Sequence, residues 1–445
     1  MFCTRILTFQ PVIGSVDSCR RVSCLMELPA EIYSVENVRK IDQAAIQGAG
    51  INGYTLMTRA GKAAFDAAIC SFPKARRWQV ICGCGNNGGD AYVVARLAVE
   101  QGMSVSVVTM GPQKNLTGDA ATACMDFVAA GGNIVECEEG LDNAADLLID
   151  GLLGSGLKRD VEGRYAELVN AMNEHKAPIL ALDIPSGLNG NNGKIMGEAV
   201  QADTTVTFVA LKSGLFIGSG PELAGELLFH DLGIPDECRD GQLPIFRRIN
   251  NRILQTVLPR RERNTHKGKF GHVLVIGGAP GMSGAVRLCG EAALRSGAGL
   301  VSIATHPTHS EEIVSARPEL MSHGIECSKE LDPLLAKATA IAIGPGLGTE
   351  SWARNLLEKT LESELPTVID ADALNLLTDM NVKGTDWILT PHPGEAARLL
   401  GIGSMEVQSN RLNTLLNLKE MFGCTVVLKG AGTLVATPEG QPWIC

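Results

Sequence analysis

Aromatic side chains are scarce in this chain. Phe, Trp and Tyr together make up 4% of its 445 residues, too few for an aromatic-rich β-sandwich. Long apolar runs are missing too. No stretch of about 18 uninterrupted apolar residues occurs, so no membrane partner is expected. Positive charge is in the minority, with 39 Lys+Arg against 49 Asp+Glu and a net charge of −10. A nucleic-acid binder needs a basic face that displaces counterions, so no nucleic-acid partner is expected either. There is no Cys-x-x-Cys pair and no His pair with zinc spacing. His306 and His309 in HPTH read as a surface loop. The 13 cysteines are scattered, as Cys82 and Cys84 are in WQVICGCG and Cys289 in VRLCGEAAL. They read as reduced thiols of a cytoplasmic protein, not as a disulfide framework.

Glycine, by contrast, is plentiful at 50 residues, and the hydrophobic share of 45% leaves material for sizeable cores. The length suggests two or three domains. Residues 1–30 read as an unstructured leader, with Arg5, Arg20 and Arg21 against the single acid Asp17, and with Met26 as the natural start. From about residue 78 a strand–loop–helix cycle repeats. WQVIC, SVSVVTM, ADLLIDGLLGSG, APILALDIPSG and TTVTFVALKSG read as buried strands that run into loops. Near-continuous apolar strands alternating with helices predict a parallel sheet covered on both faces. The pattern breaks over 233–268 through Pro235, Gly241, Pro244 and Pro259. A boundary at about 245 gives domains 31–244 and 245–445. The basic stretch RRERNTHKGK reads as a solvated linker. A second α/β cycle begins at HVLVIGGA, and TVVLKGAGTLVATPEG reads as a terminal hairpin.

Candidate site residues fall at strand ends, where open α/β sheets bind ligands. Asn86-Asn87-Gly88-Gly89-Asp90 reads as a loop before a helix whose glycines admit an anion. Asp150 and Asp183 each end a strand. Asn87, Asp150 and Ser186 supply hard oxygen ligands that suit a small cation and not zinc. Lys212 is placed as a proton donor or phosphate anchor, or as a lysine that reaches the surface. In the second half GPGLG, DADALN, TPHPGE and KGAGT come at successive strand ends. Lys429 beside backbone donors forms a candidate phosphate cradle. His392, between two prolines, is expected in an extended loop.

Taken together, NNGGD, DGLLGSG, DIPSG and ALKSG resemble the NAD(P)HX epimerase family. HKGKFGHVLVIGG, GAGLV, GPGLG, DADALN, TPHPGE and KGAGT resemble the ADP-dependent NAD(P)HX dehydratase family. The resemblance runs from about Ile32 to the end. It implies an N-terminal Rossmann-like three-layer sandwich followed by a ribokinase-like domain. It also implies repair of NADHX or NADPHX, dinucleotides hydrated at C6 of the nicotinamide ring. The first domain would interconvert their R and S epimers, and the second would dehydrate the S form with ADP or ATP and Mg²⁺. Carried over by position, Asn86 to Asp90 and Gly154, Ser155, Gly156, Leu157, Lys158, Arg159 and Asp160 would hold the hydrated dinucleotide. Asn87, Asp150 and Ser186 would ligate potassium. Asp183 would contact the nicotinamide end, and Asp183 and Lys212 would be catalytic. In the second domain Ala285, Gly346 and His392 would meet the hydrated dinucleotide. Lys429, Gly430, Ala431, Gly432 and Thr433 would hold the nucleotide.

One departure stands out. Ribokinase-like domains carry a Gly-x-Gly-Asp helix start that supplies an anion hole and a base, and none occurs after residue 250. The resemblance then implies an intact epimerase and an incomplete, inactive dehydratase. Two other readings compete: a non-catalytic nucleotide-binding scaffold, and a ribokinase-type small-molecule kinase. A homo-oligomer is compatible with all three.

Overall fold

The structure is a computed structural model, and it describes residues 26–111, 115–136 and 140–445. Two compact units emerge. One runs to Leu215 and includes Ser219–Pro244; the other comprises Phe216–Gly218 and Ile245–Cys445. Residues 1–25 of the expected leader lie outside the described part. Met26 is not loose: its N–H donates to the Phe229 carbonyl at 3.1 Å. That corrects the expectation of an unstructured segment through residue 30.

The first unit contains strands β1 (Glu31–Tyr33), β2 (Arg77–Cys82), β3 (Ser104–Thr109), β4 (Asn133–Glu136), β5 (Leu147–Gly151), β6 (Ile179–Leu182), β7 (Thr204–Phe208), β8 (Leu211–Lys212) and β9 (Glu226–His230). Its main helices are α1 (Val35–Gln47), α2 (Gly53–Ser71), α3 (Asn86–Glu100), α4 (Gly118–Ala129) and α5 (Arg164–Glu174). Seven strands form one sheet in the order β4-β3-β2-β5-β6-β7-β9, and every pairing in it is parallel.

Successive side chains on these strands point to opposite faces and bury themselves in two separate cores. Val80, Cys82, Leu147, Ile149, Leu180 and Leu182 pack with residues of α2, α3 and α4. Ile81, Leu148, Ile179 and Ala181 pack on the other side with Leu168, Val169 and Met172 of α5. The unit is therefore a three-layer α/β sandwich. The strand order reverses between β2 and β5, so a crevice opens beyond their carboxyl ends.

Two expectations about local structure need correction. NNGGD is not a loop but the first turn of α3, after the extended cap residue Gly85. Its glycines serve packing. A Cβ on Gly88 would fall 2.0 Å from the Gly83 carbonyl oxygen, and one on Gly89 would fall 2.5 Å from Met57 Cε. Lys212 does not end a strand of the main sheet either. The chain leaves that sheet at Phe208, turns at Val209 with φ 68°, and forms β8. This short strand pairs only with β1, matching Tyr33 to Lys212.

The second unit holds β10 (Phe246–Arg248), β11 (His272–Ile276), β12 (Leu300–Thr305), β13 (Met321–Gly324), β14 (Ala340–Ile343), β15 (Thr367–Ile369), β16 (Trp387–Leu389), β17 (Thr425–Leu428), β18 (Leu434–Ala436) and β19 (Trp443–Ile444). Their order is β13-β12-β11-β14-β15-β16-β17-β18-β19-β10. The run from β13 to β17 is parallel; β17, β18 and β19 form an antiparallel meander. On β15 and β16 burial alternates, leaving Val368 and Ile388 36% and 39% exposed between buried neighbours. The basic stretch is held at one point: the Arg261 guanidinium lies 3.8 Å from the Phe270 ring centroid and donates to the Gly297 carbonyl. Among the described residues, no helix is long and apolar enough to cross a membrane.

Helix α3 seats on the sheet at Gly151, where an added Cβ would lie 2.4 Å from Ala91 Cβ and 2.9 Å from the Asn87 carbonyl. Both neighbours sit on a buried helix with no room to retreat. Gly151→Ala is expected to cost about 1–3 kcal/mol by overpacking, read as a fall in the urea unfolding midpoint. An unchanged midpoint would show that α3 can lift from the sheet.

Candidate active site

The crevice at the strand-order reversal is a cavity of about 740 Å³ lined entirely by first-unit residues. Its wall is built from α1, the first half of α2, the start of α3, the start of α4, the segment after β5 and the ends of β6 to β8. Of the residues singled out from the sequence, Asn86, Asn87, Asp90, Gly154 to Arg159, Asp183 and Lys212 line it. Gly88, Gly89 and Asp160 are not on its wall.

Asp150 and Ser186 lie just beneath. Asp150 is fully buried. Its Oδ1 accepts from Ser186 Oγ at 2.6 Å and from the Leu152 N–H at 3.2 Å, and its Oδ2 accepts from the Ser186 N–H at 2.8 Å. Burial pushes its carboxyl up to about 6, against the pull of those hydrogen bonds. Asn87 is fixed because its Nδ2 donates to the Leu153 carbonyl at 3.0 Å. That leaves Asn87 Oδ1 buried with no donor. A buried carboxylate lacking a cationic partner and an orphaned amide oxygen are what a bound cation would satisfy. The oxygen-only donor set suits a hard ion such as potassium.

Deeper in the cavity, Lys212 is 1% exposed. Its ammonium donates to Asp183 Oδ1, to Thr207 Oγ1 at 3.1 Å and to the Phe208 carbonyl at 2.9 Å. An ammonium has three donors, so all are committed inside the protein. The free proton donor expected at this position is not there; Lys212 fixes Asp183 instead. Asp183 itself has φ 65°, a left-handed backbone uncommon outside glycine and found where structure over-determines it.

The second unit gathers its candidates at the carboxyl ends of β11 and β14 to β17. Gly346, with φ 58°, has no room for a side chain, since a Cβ there would meet Met282 Cβ at 2.8 Å and Ala285 Cβ at 3.2 Å. His392 is extended as expected, but it caps the helix Pro393–Leu400. Its Nδ1 accepts from the Gly394 and Glu395 N–H groups, and the Glu395 carboxylate accepts from the His392 N–H. The Nε2 side of the half-exposed ring lies 3.5 Å from the Glu395 carboxylate. Lys429 is paired with Asp370 at 2.8 Å, so it is not a free cation waiting for phosphate. The Lys429–Thr433 loop turns through Gly430 and Gly432 at positive φ. Arg411, buried, holds this loop from inside by donating to the Gly432 carbonyl at 3.0 Å and the Leu428 carbonyl at 3.3 Å.

Comparison with known proteins follows the same division. Residues 53–214 match the family described as YjeF-related protein N-terminus, and residues 273–445 match the family described as NAD(P)H-hydrate dehydratase. A bifunctional NAD(P)H-hydrate repair enzyme of Coxiella burnetii is 44% identical over 414 residues, covering 93% of this chain and 85% of that protein. One from Escherichia coli is 41% identical, covering 92% and 79%. The chain belongs to the family of bifunctional NAD(P)H-hydrate repair enzymes. Among solved structures, the ADP/ATP-dependent NAD(P)H-hydrate dehydratase of Bacillus subtilis, crystallised with ATP and Mg²⁺, is 32% identical. It covers 44% of this chain and 70% of that one at a TM-score of 0.40. A ribokinase-like superfamily protein of Enterococcus faecalis is 29% identical, covering 45% and 71%, with a TM-score of 0.42.

Sequence reasoning about this repair enzyme missed the α1 wall. Val38, Arg39 and Asp42 line the cavity. The signal was an acid, Asp42, set beside the buried Val38, Ile41 and Ala45 stripe. Arg39 reaches across to the segment after β5, where its Nη2 occupies the space a Gly156 side chain would need. Arg411 was missed because nothing local marks a buried guanidinium on a helix.

If the Asn87–Asp150–Ser186 set holds a cation, potassium chloride should raise the melting temperature above that in choline chloride at equal ionic strength. Asp150→Asn should abolish the difference. Equal melting in both salts would count against an ion at this place.

Proposed function

We propose that the first unit interconverts the R and S epimers of NAD(P)H hydrated at C6. The second unit would then bind the S form together with ADP or ATP and Mg²⁺ for dehydration. The observation that carries the first part is a cavity at the strand-order reversal, walled by the first turn of α3 and the Gly154–Arg159 segment, with the Asp183–Lys212 pair inside it. Helix starts and glycine-bearing loops after parallel strands suit the pyrophosphate of a dinucleotide. Asp183 would meet the nicotinamide end. Lys212 holds that carboxylate in its left-handed conformation and lowers the cost of burying it.

A cation held by Asn87, Asp150 and Ser186 would neutralise the buried Asp150 and fix the turns after β2, β5 and β6. Those turns are where the dinucleotide-binding residues stand. The chemistry itself is acid-assisted. The ring-nitrogen lone pair expels the C6 hydroxyl once a proton is supplied, and water returning to either face exchanges the epimers.

In the second unit, dehydration would proceed by phosphorylation of the C6 hydroxyl, because phosphate leaves far more readily than hydroxide. Gly346 with Ala285, the outer edge of His392 and the Lys429–Thr433 loop would form the binding surfaces. Residues 250–445 contain no Gly-x-Gly-Asp to supply the base and anion hole. The reading includes action in the cytoplasm and on either NADHX or NADPHX.

The test is a paired assay on a protein of these 445 residues. S-to-R exchange would be followed by chromatography, and NADPH recovery from S-NADPHX with ADP or ATP and Mg²⁺ by absorbance. Exchange above the uncatalysed rate without NADPH recovery is expected. Asp183→Ala should lower exchange by about 100-fold or more. Exchange at the uncatalysed rate would defeat the epimerase reading. NADPH recovery would show that other residues supply the base.

A further inference from the structure

Expulsion of hydroxide from C6 needs an acid, and the Asp183–Lys212 pair does not offer one. Every ammonium proton of Lys212 is donated to protein oxygens, and Asp183, salt-bridged to it, is an acceptor. Three more carboxyl groups line the same cavity, Asp42 from α1, Asp90 from α3 and Asp119 from α4; Asp42 and Asp90 are the two coupled to the pair. The charges acting on Asp42 are Arg39 from its own helix, Lys212 from β8 and Asp183 from the end of β6. Asp90 feels Asp183, Asp42 and Lys212. Neither carboxyl takes a hydrogen bond that would hold it ionised. Asp42, Asp90 and Asp183 share the field of the committed Lys212 ammonium, and burial disfavours having all three charged at once.

We propose that Asp42 is a further catalytic residue of the first unit, the group that protonates the departing C6 hydroxyl and takes the proton back when water returns. This rests on the epimerase reading of the cavity. In the forward step the Asp42 O–H protonates the C6 hydroxyl oxygen and the C6–O bond breaks. The N1 lone pair fills a C6=N1 bond, leaving one water, an iminium ring and the Asp42 carboxylate. In the return step water adds to either face of C6, the C6=N1 pair goes back to N1, and Asp42 accepts the released proton. No oxidant or co-reactant is needed.

The environment fits this cycle. Burial pushes Asp42 up to about 6, and pushes Asp90 well above the carboxylate range. A group poised near the working pH can give and regain a proton in each turnover. In Asp90 the same burial, with Asp183 and Asp42 nearby, favours the protonated form more strongly, so it is less suited to giving up its proton. Lys212, and more weakly Arg39 one helical turn before it, draw Asp42 down and help keep the carboxylate accessible after the proton has gone.

The experiment compares wild type, Asp42→Asn, Asp42→Glu and Asp90→Asn in S-to-R exchange across pH 5–9, with kcat and KM separated. Binding of NADPH and melting temperature report on the intact cavity. Wild-type kcat should fall as pH rises above about 6, because the acid form is being lost. Asp42→Asn should lower kcat by about 100-fold or more while leaving KM and NADPH binding within about threefold, and it should erase that limb. Asp42→Glu should restore part of the rate together with the limb. An Asp42→Asn protein that exchanges at the wild-type rate, or keeps the limb, overturns the proposal. So does loss of the limb in Asp90→Asn alone. Wild type without exchange at any pH would instead remove the epimerase reading itself.

Discussion

The first unit is organised around an ammonium group taken out of water. A buried lysine is tolerable only when its charge is paired and its protons are all donated. Lys212 meets both conditions through Asp183, Thr207 and the Phe208 carbonyl. Those three partners come from the ends of β6 and β7, so the ammonium knots two strand ends together. Its own strand, β8, is only two residues long and pairs with β1, which leads directly into α1. The wall of the cavity that carries Arg39 and Asp42 is thus positioned through the same lysine. Removing its charge would leave the half-buried Asp183 without a counter-ion and would loosen three elements at once.

Much of this architecture was legible from residues alone. The buried strands LLIDG, ILAL and TTVTF announce a parallel sheet, because apolar side chains on both faces need cover on both. Glycines and acids at the strand ends mark where a ligand can lie. What escaped is non-local or conformational. NNGGD reads as a loop because glycines favour turns, yet Gly88 and Gly89 are required by close approach to Gly83 and Met57. Val209 and Asp183 carry side chains that give no hint of positive φ. A three-residue strand such as β1 has too few residues to show alternation. Asp42 looks like one polar residue on an ordinary amphipathic helix until Lys212 and Asp183 are brought opposite it.

The two units solve the placement of functional groups differently. In the first, charge is concentrated: four carboxyls, two ammoniums and two guanidiniums border a single cavity. In the second, side chains are tied to local tasks, with His392 and Glu395 completing a helix cap and Lys429 paired with Asp370. Its loop conformations depend on backbone constraints, namely glycines at positive φ and the carbonyls gathered by Arg411. A ligand there would meet a surface shaped chiefly by main chain, whereas the first unit presents side-chain chemistry.

The left-handed backbone at Asp183 and Val209 has a consequence for how this protein can change over evolutionary time. A β-branched residue at φ 68° is strained, and glycine would relieve the strain at once. Drift toward stability alone would favour that replacement. Yet residue 209 directly follows the carbonyl that anchors Lys212, and the freedom of glycine would blur the anchor's position. Thermal robustness and a sharply placed ammonium therefore pull this one residue in opposite directions. The hinge between sheet and cavity is a point where a more stable descendant would tend to be a less able one.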